Sequence, residues 1–182
     1  MGRPDNLQNY NTVRVSPVMH PLPAPVSAFL QDPLEFYAWN FEPVSLADVR
    51  NIAAQARDAT IAHYARAGKR VTPQIQSLFA EPLKNANFHG GRPDKHEITF
   101  HLHLAPEALV ASFHDCGTYF MRPEIKAYWE TKRPFPEKHA VEIEGIGYGA
   151  GTGIIYDTAD LIHVDDGTLY VGARTSGIYF LK

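Results

Sequence analysis

Apolar and polar residues alternate along the chain in a pattern that predicts regular strands and helices from residue 34 onward. The segment "LEFYAWNF" (34–41) alternates and is rich in aromatic residues, which is typical of a β-strand. An alanine-rich stretch follows it, and Ser45 with Asp48 three residues later marks a helix start. Gly68 is where that helix is expected to stop. The domain therefore opens with a strand followed by a helix.

A second helix is predicted over residues 73–88, because its apolar side chains form one continuous helical stripe. Glu81, Asn85 and His89 recur at four-residue steps along one edge of that stripe. Side chains four residues apart are neighbours on a helix. A carboxylate, an amide and an imidazole should therefore lie together near the C-terminal end of this helix.

Two strands are predicted next, over residues 95–106 and 108–117. Alternation indicates the first, and a nearly continuous apolar run indicates the second. Residues 118–144 contain three prolines and are predicted to form a long loop with a short helix. Loops of that length inside a compact domain are usually functional. A helix over 153–162 and two paired C-terminal strands within 167–182 complete the prediction.

Residues 1–33 differ from the rest of the chain, because they contain six prolines and little apolar periodicity. This composition predicts an extended, partly disordered arm, either a solvated tail or a segment that packs on a partner. Residues 34–182 are sufficient for one domain, and a hydrophobic content of 45% is ordinary for a chain with a core. We therefore expect an arm and a single domain.

The net charge is −3 without a long run of one sign, which argues against a nucleic-acid-binding or membrane-binding surface. No apolar run approaches the roughly 18 residues that a membrane span needs, and the N-terminus lacks the layout of a signal peptide. A single cysteine, Cys116, excludes a framework of internal disulfides. We therefore expect a cytoplasmic protein with no direct nucleic-acid or membrane contact.

The segment "EGIGYGAGTGI" (144–154) has the composition of a phosphate-binding loop, since glycine lets backbone N–H groups approach a ligand closely. Its five glycines occupy every second position: Gly145, Gly147, Gly149, Gly151 and Gly153. A Walker A loop is excluded because no lysine lies between Lys138 and Lys182. A dinucleotide fingerprint from Gly145 to Ala150 matches formally. That fingerprint normally opens the first βαβ unit, however, and only about thirty residues remain here.

Residues outside the glycine loop decide which loop it resembles. The four relevant segments are "EPLKNANFHG" (81–90), "FHDCG" (113–117), "GIGYGAGTGI" (145–154) and "GTLYVG" (167–172). In this order they resemble the N-box, the Asp-x-Gly motif, the glycine-rich ATP lid and a late Gly-Thr strand of the GHKL superfamily. That superfamily includes histidine kinase catalytic domains, DNA gyrase subunits and Hsp90 chaperones. The resemblance covers residues 34–182 and is greatest to the anti-sigma factor serine/threonine kinases.

The resemblance implies a Bergerat-type ATP-binding fold, which is an α/β (α+β) two-layer sandwich with helices on one face of a mixed, mostly antiparallel sheet. It also implies that ATP and Mg²⁺ are the cofactors. The amide oxygen of Asn85 would bind Mg²⁺, which prefers oxygen ligands. Glu81 would act as a general base, and Asp115 would accept a hydrogen bond from the adenine amino group. The structural alternatives are a helix-capping Asn, a surface carboxylate and a turn-forming Asp.

The same resemblance implies further contacts around ATP. Gly117 would leave space beside the base, and Thr168 would support the adenine site, unless it is an ordinary strand residue. The glycines expected at the phosphates are Gly145, Gly147, Gly149 and Gly151. Pro82 departs from the family pattern. A proline inside the N-box helix removes a backbone donor and favours a kink that would move Glu81 relative to Asn85.

The function implied is ATP-dependent phosphorylation of a partner protein on serine or threonine, as part of a regulatory switch. The partner would be an anti-anti-sigma-like substrate, a sigma factor, or both, and close relatives form homodimers. Two alternatives stay open. One is a non-catalytic, nucleotide-gated protein that sequesters a regulator such as a sigma factor. The other is a small stand-alone ATPase that transfers the phosphoryl group to water.

Two further candidates lie outside the resemblance. His101 and His103 share one face of a predicted strand and could bind Zn²⁺, although no fixed third ligand accompanies them. Cys116 lies beside Asp115 and would be reactive in a phosphate-binding pocket. The alternative for this cysteine is a small buried thiol.

Overall fold

The computed structural model describes residues 13–14, 22–31, 33–42, 44–89, 97–115 and 150–182. The helices are α1 (Ala24–Leu30), α2 (Leu46–Arg66), α3 (Gln76–His89) and α4 (Ala150–Thr158), and a 3-10 turn (Pro73–Ile75) leads into α3. The strands are β1 (Val13–Arg14), β2 (Glu35–Phe41), β3 (Arg70–Val71), β4 (Ile98–Leu104), β5 (Ala108–Asp115), β6 (Leu161–Asp165), β7 (Thr168–Arg174) and β8 (Phe180–Leu181).

Six strands form the main sheet in the order β1-β2-β4-β5-β7-β6, and every described pairing in it is antiparallel. The strands β3 and β8 form a second, two-stranded antiparallel sheet. A two-residue turn joins β6 to β7, with φ of 44° at Asp166 and 74° at Gly167. An Asp-Gly pair favours this turn, because both central residues need positive φ.

Alternate side chains of the main sheet point into the helical layer. Three aromatic rings stack there across neighbouring strands, with centroids 4.7 Å apart between Trp39 and Phe100 and 4.8 Å apart between Phe100 and Phe113. Side chains of α2 and α3, and Ile155 of α4, belong to the same buried cluster. The structure therefore confirms an α+β two-layer sandwich, with its three longer helices on one face of an antiparallel sheet.

The opposite face of the sheet is partly covered by α1. A second buried cluster joins this helix to the sheet: Val26, Phe29, Leu30, Ala105, Ala108 and Val110. Val110 alternates along β5 with Leu109 and Ala111, which belong to the core under the longer helices. Because successive strand residues point to opposite faces, α1 lies on the side away from α2 and α3.

Helix α1 corrects part of the expectation for the N-terminal arm. The sequence predicted extended chain throughout residues 1–33, whereas Ala24–Leu30 is helical. Pro25 lies in the first turn, where no backbone donor is needed, and three buried apolar residues have helical spacing. A helix of this length is not stable alone, and its burial on the sheet therefore decides its conformation.

Gly172 of β7 is a point of close approach between α1 and the sheet. A Cβ added there would lie 2.6 Å from Phe29 Cε1, 3.1 Å from Leu161 Cβ and 3.2 Å from Leu109 O. We expect Gly172→Ala to lower the free energy of unfolding by about 1–3 kcal/mol, because packed neighbours must shift. Urea unfolding measures this loss. The loss should be smaller in a Phe29→Ala background, and an equal loss in both backgrounds would contradict a clash with α1.

Helix α2 begins and ends where the sequence predicts. The Asp48 N–H donates to Ser45 Oγ at 3.2 Å, which satisfies one of the free donors of the first turn. Gly68 follows the helix with φ of 71°, in the left-handed conformation that ends many helices. None of the helices in the described ranges is both long and apolar enough to cross a membrane.

The C-terminal part differs from its prediction in two ways. The helix expected over 153–162 begins at Ala150 and ends at Thr158, and Leu161 already starts β6. The last two predicted strands do not pair with each other, because β7 lies between β5 and β6 whereas β8 pairs with β3. A hydrogen bond from Thr72 N to Tyr179 O (2.7 Å) extends that second pairing.

Candidate functional site

Helix α3 leaves one face partly exposed. Apolar side chains on the rest of its surface are buried in the core: Leu78, Phe79, Leu83 and Ala86. After the first residue, Gln76, the half-buried positions fall on one helical face: Ser77, Glu81, Lys84, Asn85 and Phe88. The prediction that Glu81 and Asn85 share a helix face is therefore confirmed, whereas the side chain of His89 lies outside the described residues.

Pro82 does not end the helix. It is buried inside α3, which continues from Gln76 to His89 as one helix. Glu81 and Asn85, on either side of this proline, therefore stay one helical turn apart. Pro82, which departs from the GHKL N-box pattern, therefore does not separate the two candidate residues.

Lys84 is a residue of this face that the sequence pattern did not single out. Its Nζ donates to Glu81 Oε1 at 2.6 Å, and the exposed fractions of the two side chains are 23% and 18%. The three-residue spacing between Glu81 and Lys84 was the available signal, because residues i and i+3 of a helix are neighbours. The candidate base therefore has one carboxylate oxygen occupied by a lysine.

Asn85 carries a buried donor, Nδ2, and this atom has no hydrogen-bond partner among the described residues. Leaving such a group unpaired costs about 1–3 kcal/mol. The neighbouring Asn87 behaves differently, since it accepts from Val44 N and donates to Val44 O, both at 2.9 Å. Asn87 thus joins α3 to the segment that precedes α2, whereas Asn85 Nδ2 makes no such bond to the described residues.

Asp115 lies at the same end of the sheet as the C-terminal half of α3. Phe41, Ile98 and Asp115 are paired across β2, β4 and β5. Val44 follows Phe41 by three residues and is held by Asn87 of α3. Asp115 is only 2% exposed, and its position along β5 puts its side chain on the face that the longer helices cover.

Thr168 lies beside β5, but its hydroxyl is on the other face of the sheet. It pairs with His114, and its Oγ1 lies 3.0 Å from His114 Nδ1. His114 precedes Asp115, so the two side chains point to opposite faces. The structure therefore does not bring the Thr168 hydroxyl to the Asp115 side, as support of an adenine site would need.

Of the glycines predicted to contact ATP, the structure describes only Gly151. Gly117, Gly145, Gly147 and Gly149 lie outside the described residues, as does Cys116. Because α4 begins at Ala150, Gly151 lies in the first turn of a helix rather than in a loop. Free N–H groups of such a turn are donors that anions bind. The other end of α4 is fixed near β7, where Asp160 N donates to Gly172 O at 2.8 Å.

The histidine pair of β4 lies on the α1 side of the sheet, away from the candidate site. The ring centroids of His101 and His103 are 6.4 Å apart, and His103 is 4% exposed. Burial, followed by the charge of His101, lowers the pKa of His103 to about 4. Within the described ranges no group of three or more potential metal ligands exists. The zinc hypothesis gains no third ligand there.

Comparisons with known proteins assign neither a family nor a function to this chain. No model of a known protein family matches the chain, and a search of curated protein sequences finds no relative. A functional assignment therefore rests on the motif resemblance and on the geometry of the α3 face and Asp115.

Proposed function

We propose that the protein binds Mg·ATP between the exposed face of α3 and the end of β5, and transfers the γ-phosphoryl group to a serine or threonine of a partner protein. The observation that carries this proposal is the buried Asn85 Nδ2 beside Glu81 and Lys84, for which the described part of the chain provides no acceptor. The buried Asp115 lies at the same end of the sheet. Donors and carboxylates at one corner suit a ligand that has an amino group and phosphates.

The residues of this corner have the chemistry that each proposed role requires. The Asp115 carboxylate would accept a hydrogen bond from the adenine amino group. The Asn85 amide oxygen is a hard ligand of the kind that Mg²⁺ prefers, so this residue fits that ion, which would neutralise phosphate charge when bound. Glu81 would take the proton of the attacking serine or threonine hydroxyl. The hydroxyl oxygen would bond to the γ-phosphorus as the bond between that phosphorus and the ADP oxygen breaks.

The partner and the cellular setting follow from the motif resemblance. An anti-anti-sigma-like protein would be the phosphorylated substrate, and a sigma factor would be a second partner, both in the cytoplasm. The nucleotide state would set which partner is held, because a ligand shifts an equilibrium between partners by its differential affinity. A homodimer is part of the same proposal.

The ion pair on Glu81 favours a second candidate function, which is nucleotide-gated binding of a partner without phosphoryl transfer. Lys84 donates to Glu81 Oε1 and so occupies one of the two carboxylate oxygens. If this second function holds, Glu81→Gln keeps both ATP binding and partner binding. A stand-alone ATPase would instead release phosphate without any partner.

Calorimetric titration with ATP and Mg²⁺ tests the site directly. We expect the wild-type protein to bind, and Asn85→Ala and Asp115→Asn each to weaken binding about tenfold or more. Asn85→Ala loses the oxygen that would bind Mg²⁺, and Asp115→Asn loses the carboxylate that would accept from the adenine amino group. Asn40→Ala, an exposed position on β2, is the matched control and should bind as the wild type does. Absence of binding by the wild-type protein would refute the proposal.

A further inference from the structure

The ion pair between Glu81 and Lys84 is positioned to respond to a ligand. Both residues lie on the partly exposed face of α3, and Glu81 is the only ion-pair partner of Lys84 among the described residues. The pair is mostly buried, so separating it without a replacement would leave an uncompensated charge. A change of partner by the lysine is therefore favoured only when an incoming anion takes the place of the carboxylate.

Lys84 and Asn85 place hydrogen-bond donors on the same face of α3. An ammonium group has three donors, and one of those on Lys84 is directed to Glu81 Oε1. The adjacent Asn85 contributes a buried Nδ2 that has no acceptor within the described ranges. A phosphate supplies several acceptor oxygens and a charge larger than that of one carboxylate, so it competes well for both groups.

We propose that Lys84 binds the terminal phosphate of ATP and that, before ATP arrives, it blocks Glu81 by holding Oε1. This inference rests on the proposed ATP site. The lysine has a flexible four-carbon stem, so Nζ can move from the carboxylate to a phosphate without movement of α3. The Oε1 atom of Glu81 then becomes free to accept a proton when the triphosphate is in place.

The ATP affinities of variants test this exchange, in which Lys84 leaves the Glu81 carboxylate for the terminal phosphate, without any need for turnover. We expect Lys84→Gln to weaken ATP binding about tenfold and ADP binding less than twofold, because only ATP carries the terminal phosphate. Lys84→Arg should restore most of the ATP affinity. Lys69→Gln is the matched control, since Lys69 is similarly exposed and pairs with Glu107 at 2.8 Å far from α3. Calorimetry with each nucleotide and Mg²⁺ measures these constants.

The Glu81→Gln variant separates the exchange from simple charge repulsion. Removing the carboxylate should tighten ATP binding a few-fold in the wild-type background, because Lys84 no longer has a competing partner. In the Lys84→Gln background the same substitution should change the affinity by less than twofold. Equal effects of Glu81→Gln in both backgrounds would overturn the exchange and leave only repulsion.

The outcomes distinguish this inference from the proposed function. If ATP binding depends on Asn85 while Lys84→Gln binds ATP as tightly as the wild type, the inference fails and the ATP site stands. If the wild-type protein binds no ATP, both are refuted. A loss of ATP and ADP affinity by the same factor in Lys84→Gln would also refute a contact with the terminal phosphate.

Discussion

Replacing Phe100 with alanine should lower the free energy of unfolding by about 3–5 kcal/mol, which is the usual loss for a buried aromatic ring. Phe100 is the central ring of the stack with Trp39 and Phe113, and it is fully buried. The ring of Phe79 from α3 lies 6.0 Å away, centroid to centroid. Phe100→Ala therefore removes contacts within the sheet and between the two layers, and it leaves a cavity where they meet.

Urea unfolding followed by circular dichroism measures this loss. Such a decrease is a large part of the total stability of about 5–15 kcal/mol that is usual for a domain, so Phe100→Leu should be studied alongside it. Leu34→Ala is the control, because Leu34 is 62% exposed and its loss should change stability by less than about 0.5 kcal/mol. A decrease below about 1 kcal/mol for Phe100→Ala would contradict the central position of this ring.

Acidification should destabilise the protein through His103 between pH 7 and pH 4. Burial, and then the charge of His101, lowers the pKa of this histidine to about 4 in the folded protein, whereas it is about 6.5 in an unfolded chain. Between these values the unfolded chain binds more protons than the folded protein. The stability that neutral His103 contributes is therefore complete above pH 6.5 and is lost as the pH falls. We expect a loss of about 2 kcal/mol from this group between pH 7 and pH 5.

Unfolding midpoints at pH 7, 6 and 5 test the contribution of His103. In His103→Leu the dependence on pH should become shallower, because no imidazole remains to be protonated on unfolding. His114→Gln is the control, since His114 is exposed on the same sheet and should leave the dependence unchanged. If His103→Leu loses stability with acid as steeply as the wild-type protein does, another group is responsible.

Much of the candidate site could be predicted because its spacing is local. Glu81 and Asn85 share a helix face since they are four residues apart, and Lys84 could have been added to them by the three-residue rule. The position of the Thr168 hydroxyl could not be predicted. It depends on the register between β5 and β7, which pairs Thr168 with His114 and so directs it away from Asp115.

The sequence by itself determined the order β2-α2-α3-β4-β5-α4-β7 and the ends of α2. Helical and alternating periodicity, the Ser45 cap and Gly68 act over a few residues, so they need no tertiary contact. The α+β two-layer sandwich was predicted from the motif resemblance rather than from local pattern, and the structure confirms it.

Only the tertiary structure decided which strands pair and which face of the sheet α1 covers. Residues 24–30 are helical because the sheet buries three of their side chains, and β8 joins β3 rather than β7. These choices depend on contacts between residues far apart in the chain. Their free energy comes from burying apolar surface and pairing backbone groups of the whole domain at once, which no short segment contains.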